Sequence, residues 1–257
     1  MFYSVCYSQN KKSPVKYEPL FGSKYANYTV TSSRLKGATF FLVSGHGGPD
    51  CGAIGRTTDG YEIHEDEYAY DIMLRLARVL MSNGATVHII IQDKRDGIRD
   101  ERILKNSTRE TCRGKTIPLN QAKRLQQRCD AINALSRRTP GYKRAVFIHL
   151  DSRSSSQRMD VFFYYQEANA LSKRLSETVR ETFRTKYREH QPGRGFTGTV
   201  STRSLFVLNS TEPVSIFAEL GNIRNIADQK RFLSSDQRQA LANWFYFGLQ
   251  KDFDGNR

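Results

Sequence analysis

Two histidines and two glutamates stand where chemistry could gather. His46 lies in Ser44-Gly-His-Gly-Gly48, His149 in Ile148-His-Leu-Asp-Ser152, Glu219 in Ala218-Glu-Leu-Gly221, and Glu65 between the first two groups. Two imidazoles and one carboxylate form a common catalytic zinc shell, with the fourth position open to water. A metal so held lowers the pKa of that water to about 7 in favourable cases, and a further carboxylate can take its proton. The glycines beside His46 remove side chains, so a metal and a bulky substrate can approach the backbone. Plainer readings exist for each residue. A histidine in a glycine-rich turn can be structural, and one at a strand end can satisfy a backbone group. Glu65 suits the positive end of a helix. Glu219 is more pointed, because a carboxylate closing an apolar strand costs desolvation unless it is paired.

Such residues need elements that bring them together. Thr39-Phe-Phe-Leu-Val-Ser44 is a continuous apolar run of the kind buried in parallel sheets. Glu65 to Asn83 reads as a helix, with Tyr68, Ala69, Ile72, Leu76, Val79 and Leu80 on one face, and Asn83-Gly84 stops it. Ala85 to Ile91 is a second strand, which completes a βαβ unit. Asp93 to Pro118 is charged and weakly periodic, and reads as a surface insertion: a loop, or a lid or partner-binding element. Helices are expected over Leu119–Ser136, Glu167–Tyr187 and within Asp228–Lys251. Strands are expected over Arg144–Leu150, Asp160–Tyr165, Leu205–Leu208 and Val214–Ala218, with a loop at 190–204. Residues 1–36 read as an irregular arm. The alternation predicts one α/β domain with a mostly parallel sheet, whose sites form outside the carboxyl ends of the strands. His46, His149 and Glu219 all follow or close such strands. Glu65 shares a helical face with Tyr68 and Ile72 and so points toward the sheet edge. Glu67 is the second choice for that carboxylate, with Glu62 and His64 nearby.

With 15 Phe, 13 Tyr and 38% hydrophobic residues among 257, the chain can bury a sizeable core and is not disordered. Lys plus Arg exceed Asp plus Glu by 40 − 26 = 14. That excess suits polyanionic surroundings: nucleic acid, anionic lipid or a cell-wall polymer. No helix-turn-helix, RNP-like or zinc-finger pattern supports nucleic acid, so none is expected. No apolar run approaches the roughly 18 residues of a membrane span, and the first residues lack the charged and apolar regions of a signal peptide. The cysteines at 6, 51, 112 and 129 include no CxxC pair. Cys112 and Cys129 are either a bridge, if the protein is exported, or free buried thiols. His88 reads as a core histidine and His190 as a loop residue. Phe162–Tyr165 reads as sheet packing.

The order of these motifs resembles the zinc-dependent N-acetylmuramoyl-L-alanine amidases (amidase type 3) that trim bacterial peptidoglycan. Gly45-His-Gly-Gly-Pro-Asp-Cys-Gly-Ala-Ile-Gly55 matches the family's opening motif, with Cys51 where proline is usual. Glu65, Gly84 and Val87 match its next spacing. Arg128-Cys-Asp-Ala-Ile-Asn133 matches an R-x-x-x-A-N helix, with Ile132 for the alanine. Phe147-Ile-His-Leu-Asp-Ser152 and Pro213 to Asn225 match the last two motifs, with Asp151 where asparagine is preferred and Asn222 where phenylalanine is preferred. Five motifs in order, from about Thr39 to Phe253, are quite specific.

The resemblance implies a phosphorylase/hydrolase-like α/β domain over 37–257, with helices on both faces of the sheet. It implies His46, Glu65 and His149 as ligands of one Zn2+ per chain, and Glu219 as general base and later proton donor to the leaving amine. The implied reaction is hydrolysis of the amide between the lactyl group of N-acetylmuramic acid and L-alanine, in peptidoglycan or muropeptides. The implied place is the periplasm or cell envelope, reached by an export signal outside this chain, and a protein activator is conceivable. Arg194 would sit in a loop before the last strands and could face an anionic substrate or solvent. Two other readings remain: a zinc amidohydrolase or carboxypeptidase acting on a different amide, and a non-catalytic wall-binding protein that kept the fold.

Overall fold

The computed structural model describes residues 13–256. Short strands β1 (Val15–Tyr17) and β2 (Asn27–Thr29) lead into β3 (Thr39–Ser44). A hairpin of β4 (Ile54–Arg56) and β5 (Glu62–His64) runs directly into α1 (Glu65–Ser82), followed by β6 (Thr86–Ile89). Three two-residue strands, β7 (Ile91–Gln92), β8 (Thr111–Cys112) and β9 (Lys115–Thr116), form a small sheet of their own. Then come α2 (Gln121–Ser136), β10 (Lys143–Asp151), β11 (Phe162–Tyr165), α3 (Ala170–His190), β12 (Thr199–Thr202), α4 (Phe206–Asn209), β13 (Val214–Asn222), α5 (Ile226–Leu233) and α6 (Ser235–Asp254). The side chains of Asn120, Asn169 and Asn225 accept backbone N–H groups at the starts of α2, α3 and α5, so each helix begins where a cap is available.

The central sheet has the order β12-β11-β13-β10-β3-β6. Its four strands from β13 to β6 are parallel, and β11 is antiparallel to β13. Strands β3 and β10 are buried on both faces, as their unbroken apolar runs require. One core packs α1, α3 and α6 against the sheet through Phe40, Leu42, Phe163, Phe183 and Phe245. The opposite face carries a smaller core with α2 and α4 over Phe41, Val43, Phe147 and Phe217. Each such buried side chain contributes about 1.5–3 kcal/mol of transfer free energy. The α/β architecture with helices on both faces is therefore as expected, and no described helix is long and apolar enough to cross a membrane.

Several segments differ from the sequence reading. Leu205–Leu208 is not a strand: α4 occupies Phe206–Asn209, with Val207 and Leu208 buried and Phe206 exposed. Four apolar residues fit a helical turn as well as a strand. The 190–204 loop contains β12, an exposed edge strand without apolar alternation. The last helix is two, α5 and α6, joined at Ser234. Residues 13–36 are not irregular throughout: β1 pairs with β2, and Phe21, Tyr28 and Leu35 lie in the core. The insertion at 93–118 is loop apart from β8 and β9, and polar contacts pin it to α1. Asp71 of α1 accepts Arg75 Nε at 2.7 Å, Arg238 Nε at 2.6 Å and the Arg99 backbone N–H at 2.8 Å. Tyr70 Oη accepts the Asp93 N–H. Buried polar partners of this kind leave no hydrophobic period to read. Cys112 and Cys129 are both buried free thiols, and Cys6 lies outside the described residues.

Candidate metal centre and active site

The first βα turn builds one side of the site. His46, Gly47 and Gly48 all take positive φ, at 56°, 96° and 66°. A histidine there is uncommon. Asp50 fixes the ring: its Oδ2 lies 2.9 Å from His46 Nδ1 and accepts Arg124 Nη2 at 2.6 Å. A carboxylate on Nδ1 makes that nitrogen the proton donor and leaves Nε2 for a metal. Glu65 opens α1, and its side chain is buried. Its Oε2 lies 3.2 Å from His46 Nε2 and accepts the Ala53 N–H at 2.9 Å. Its Oε1 lies 2.9 Å from His149 Nδ1 and accepts the Leu150 N–H at 3.2 Å. The donor atoms of His46, Glu65 and His149 all lie within 4.8 Å of one another. This is a three-donor N₂O set of the kind zinc prefers.

Two glycines make room for it. A Cβ on Gly45 would collide with the His149 ring. A Cβ on Gly52, whose φ is +70°, would lie 2.6 Å from His46 Cδ2 and 2.7 Å from Glu65 Oε2.

Charge follows geometry. Burial alone would lower the His46 pKa, but hydrogen bonds and charge from Asp50 and Glu65 raise it to about 10. Burial opposes ionisation of Glu65, yet the two histidines hold its carboxyl below the usual range. His149 is pushed down, mainly by burial. A cation among the three would replace the His46 proton.

Glu219 lies beside His149 in the parallel register of β13 and β10. The strands slip out of register immediately afterwards, between His149 and Asp151. Glu219 is 8% exposed, and its Oε2 is buried without a hydrogen-bond partner. Burial, then the charges of Glu65 and Asp151, raise its pKa well above the ordinary value. Phe217, two residues earlier, stacks on the His149 ring at 4.3 Å. His46, His149 and Glu219 line one cavity of about 280 Å³ that runs along the sheet face between α2 and the 203–207 segment. Glu65 sits behind the histidines.

The structure thus brings His46, Glu65, His149 and Glu219 together and separates Glu67 from them. Glu67 pairs with Arg99 at 2.7 Å and belongs to a buried cluster with Asp66 and Glu110. Arg194 pairs with Asp160 away from the cavity, and His88 stacks on Phe41. Asp151 pairs with Arg153, and Asn222 is fully buried, donating to the Ser154 and Gln157 carbonyls. Asn222 therefore ties down the loop after β10. Sequence reasoning missed the roles of Asp50 and Arg124. A carboxylate four residues after a ligand-type histidine, and an arginine one helical turn before Arg128, were the available signals. Arg128 donates to the His46 carbonyl.

Fold and donor set together describe an α/β domain with a three-donor site suited to one metal ion. The model of the family N-acetylmuramoyl-L-alanine amidase matches residues 41–251, and the chain belongs to that family. A curated relative, the probable cell wall amidase LytH of Staphylococcus aureus, is 24% identical over 229 residues, or 88% of this chain. The chain spans 62% of that relative's length. Among solved structures, the catalytic domain of CwlV, an N-acetylmuramoyl-L-alanine amidase from Bacillus (Paenibacillus) polymyxa, shares 19% identity with a TM-score of 0.61, covering 84% of this chain and 98% of the other. The CwlD amidase of Clostridioides difficile, solved with the GerS lipoprotein, shares 20% identity with a TM-score of 0.60, at 84% and 98% coverage. These likenesses establish the fold.

Proposed function

We propose that the chain is a zinc-dependent N-acetylmuramoyl-L-alanine amidase. It would hydrolyse the amide between the lactyl group of N-acetylmuramic acid and L-alanine in peptidoglycan or muropeptides, in the periplasm or cell envelope. The observation that carries this reading is the convergence of His46, Glu65 and His149 beside an unpartnered buried Glu219 on one cavity wall. Family membership supplies the bond.

In this reading His46 Nε2, Glu65 and His149 Nδ1 hold one Zn2+. The donor types, their mutual reach and the space left by Gly45 and Gly52 fit such an ion. Bound there, the ion supplies a Lewis acid for the amide carbonyl and lowers the pKa of water. Asp50, anchored by Arg124, keeps the His46 ring in the metal-binding tautomer. Phe217 holds the His149 plane by stacking. Glu219 takes the proton of the attacking water and returns it to the leaving amine. Its free Oε2 leaves an oxygen available for that transfer, and its raised pKa brings it closer to neutral operating pH. The +14 charge suits an anionic wall polymer.

Metal analysis by mass spectrometry of the purified protein and of His149→Ala, paired with release of stem peptides from peptidoglycan, tests this. About one zinc per chain, lost in the variant together with peptide release, is the expected result. A zinc-free protein after reconstitution would overturn the metal reading and favour a binding module. Zinc without peptide release would favour a different amide.

A further inference from the structure

The cavity has a charge pattern that the amidase chemistry leaves unused. Arg124 and Arg128 on one wall and Arg203 on the other face a floor of Val43, Phe147 and Phe217. Arg124 is paired with Asp50; Arg128 is buried and donates to the His46 carbonyl, whereas Arg203 is the one of the three that is exposed to an incoming ligand. Arg203 is exposed and makes no ion pair among the described residues. Its guanidinium lies over the Tyr164 ring, 5.4 Å from the centroid. Tyr164 is the register partner of Phe217 and lies 6.2 Å from its ring, and Phe217 stacks on His149. Arg203 is thus placed by an aromatic wall that ends at the candidate metal centre. It is also close enough for its charge to act on Glu219.

We propose that Arg203 is a specificity-determining residue that binds a free carboxylate on the peptide side of the substrate. This rests on the amidase reading above. The anion is on the peptide side because the muramoyl lactyl carboxyl is already consumed in the amide, whereas acidic residues of a stem peptide carry free carboxylates. Arginine over an aromatic face presents a fixed, planar donor pair suited to a carboxylate.

The test uses zinc-loaded Glu219→Gln, which cannot ionise at that position. Any effect of Arg203 through the Glu219 charge is thereby removed. Calorimetry compares two ligands, N-acetylmuramoyl-L-alanyl-D-glutamate and the same compound with its glutamate carboxyls amidated. The carboxylate form should bind at least about tenfold tighter. Adding Arg203→Gln should bring the two affinities together. Equal affinities in Glu219→Gln would overturn the inference while leaving the amidase reading intact. A preference that survives Arg203→Gln would also overturn the role of Arg203. Binding of neither ligand, together with inert peptidoglycan digests of the wild type, would overturn both readings.

Discussion

Gly52→Ala perturbs the centre without replacing any of its ligand residues. The new Cβ would lie 2.6 Å from His46 Cδ2 and 2.7 Å from Glu65 Oε2. Ordinary contact begins near 3.5 Å, so one of the two donors must retreat by about 0.8–0.9 Å. Metal sites tolerate roughly 0.2 Å in ligand distances, several times less than this shift. A second cost is the backbone: φ of +70° costs a residue with a Cβ about 1–2 kcal/mol. Gly60→Ala separates the two effects, because Gly60 has φ of +88° and nothing within 4 Å of its added Cβ. Zinc affinity, measured by competition with a chromophoric chelator, should fall at least about 100-fold in Gly52→Ala and stay near wild type in Gly60→Ala. In the metal-free form Gly52→Ala should lose more thermal stability than Gly60→Ala, which carries the backbone cost alone. A Gly52→Ala protein that binds zinc as tightly as Gly60→Ala would refute the donor geometry argued here.

Glu219→Gln should keep its zinc and lose about 10²–10⁴ of kcat, read from initial rates of peptide release. Wild-type kcat/KM should fall as pH drops, because the base must be ionised and its pKa is raised; a flat profile down to pH 4.5 would contradict that. Zinc binding should release close to one proton at pH 7, because His46 carries a proton up to about pH 10 in the metal-free site. Calorimetry in buffers of different ionisation enthalpy measures this, and a value near zero would count against it. Asp66 is buried, and its pKa is raised to about 8 by burial first, then by the charges of Glu67 and Glu110. The unfolded chain loses that proton near pH 4 and the folded one near 8, so this contribution to stability is present below 4 and lost as pH rises through 8. Asp66→Asn should therefore raise Tm at pH 9 more than at pH 5, and equal shifts at both would contradict the assignment.

The strands that carry the site were legible because they are doubly buried. Thr39–Ser44 and Arg144–Leu150 are unbroken apolar runs, and the polar residues that end them are the ones the structure gathers. The choice of Glu65 over Glu67 came from spacing and helical phase, and the structure turns the two to different neighbours. What could not be read was held by polar contacts or by tertiary context. Residues 93–118 are fixed by Asp71, Tyr70 and Arg99, which show no period. Phe206–Asn209 is too short for periodicity to separate helix from strand. Asp50 was visible as a motif letter, but its contact with Arg124 spans 74 positions of sequence.

The masses of the products from purified peptidoglycan treated with the zinc-loaded protein test the proposed reaction most directly. Free stem peptides beginning at L-alanine and glycan strands with intact lactyl carboxyls are expected, both missing from a parallel Glu219→Gln digest. Peptides cut at any other amide, or the same products from Glu219→Gln, would contradict it.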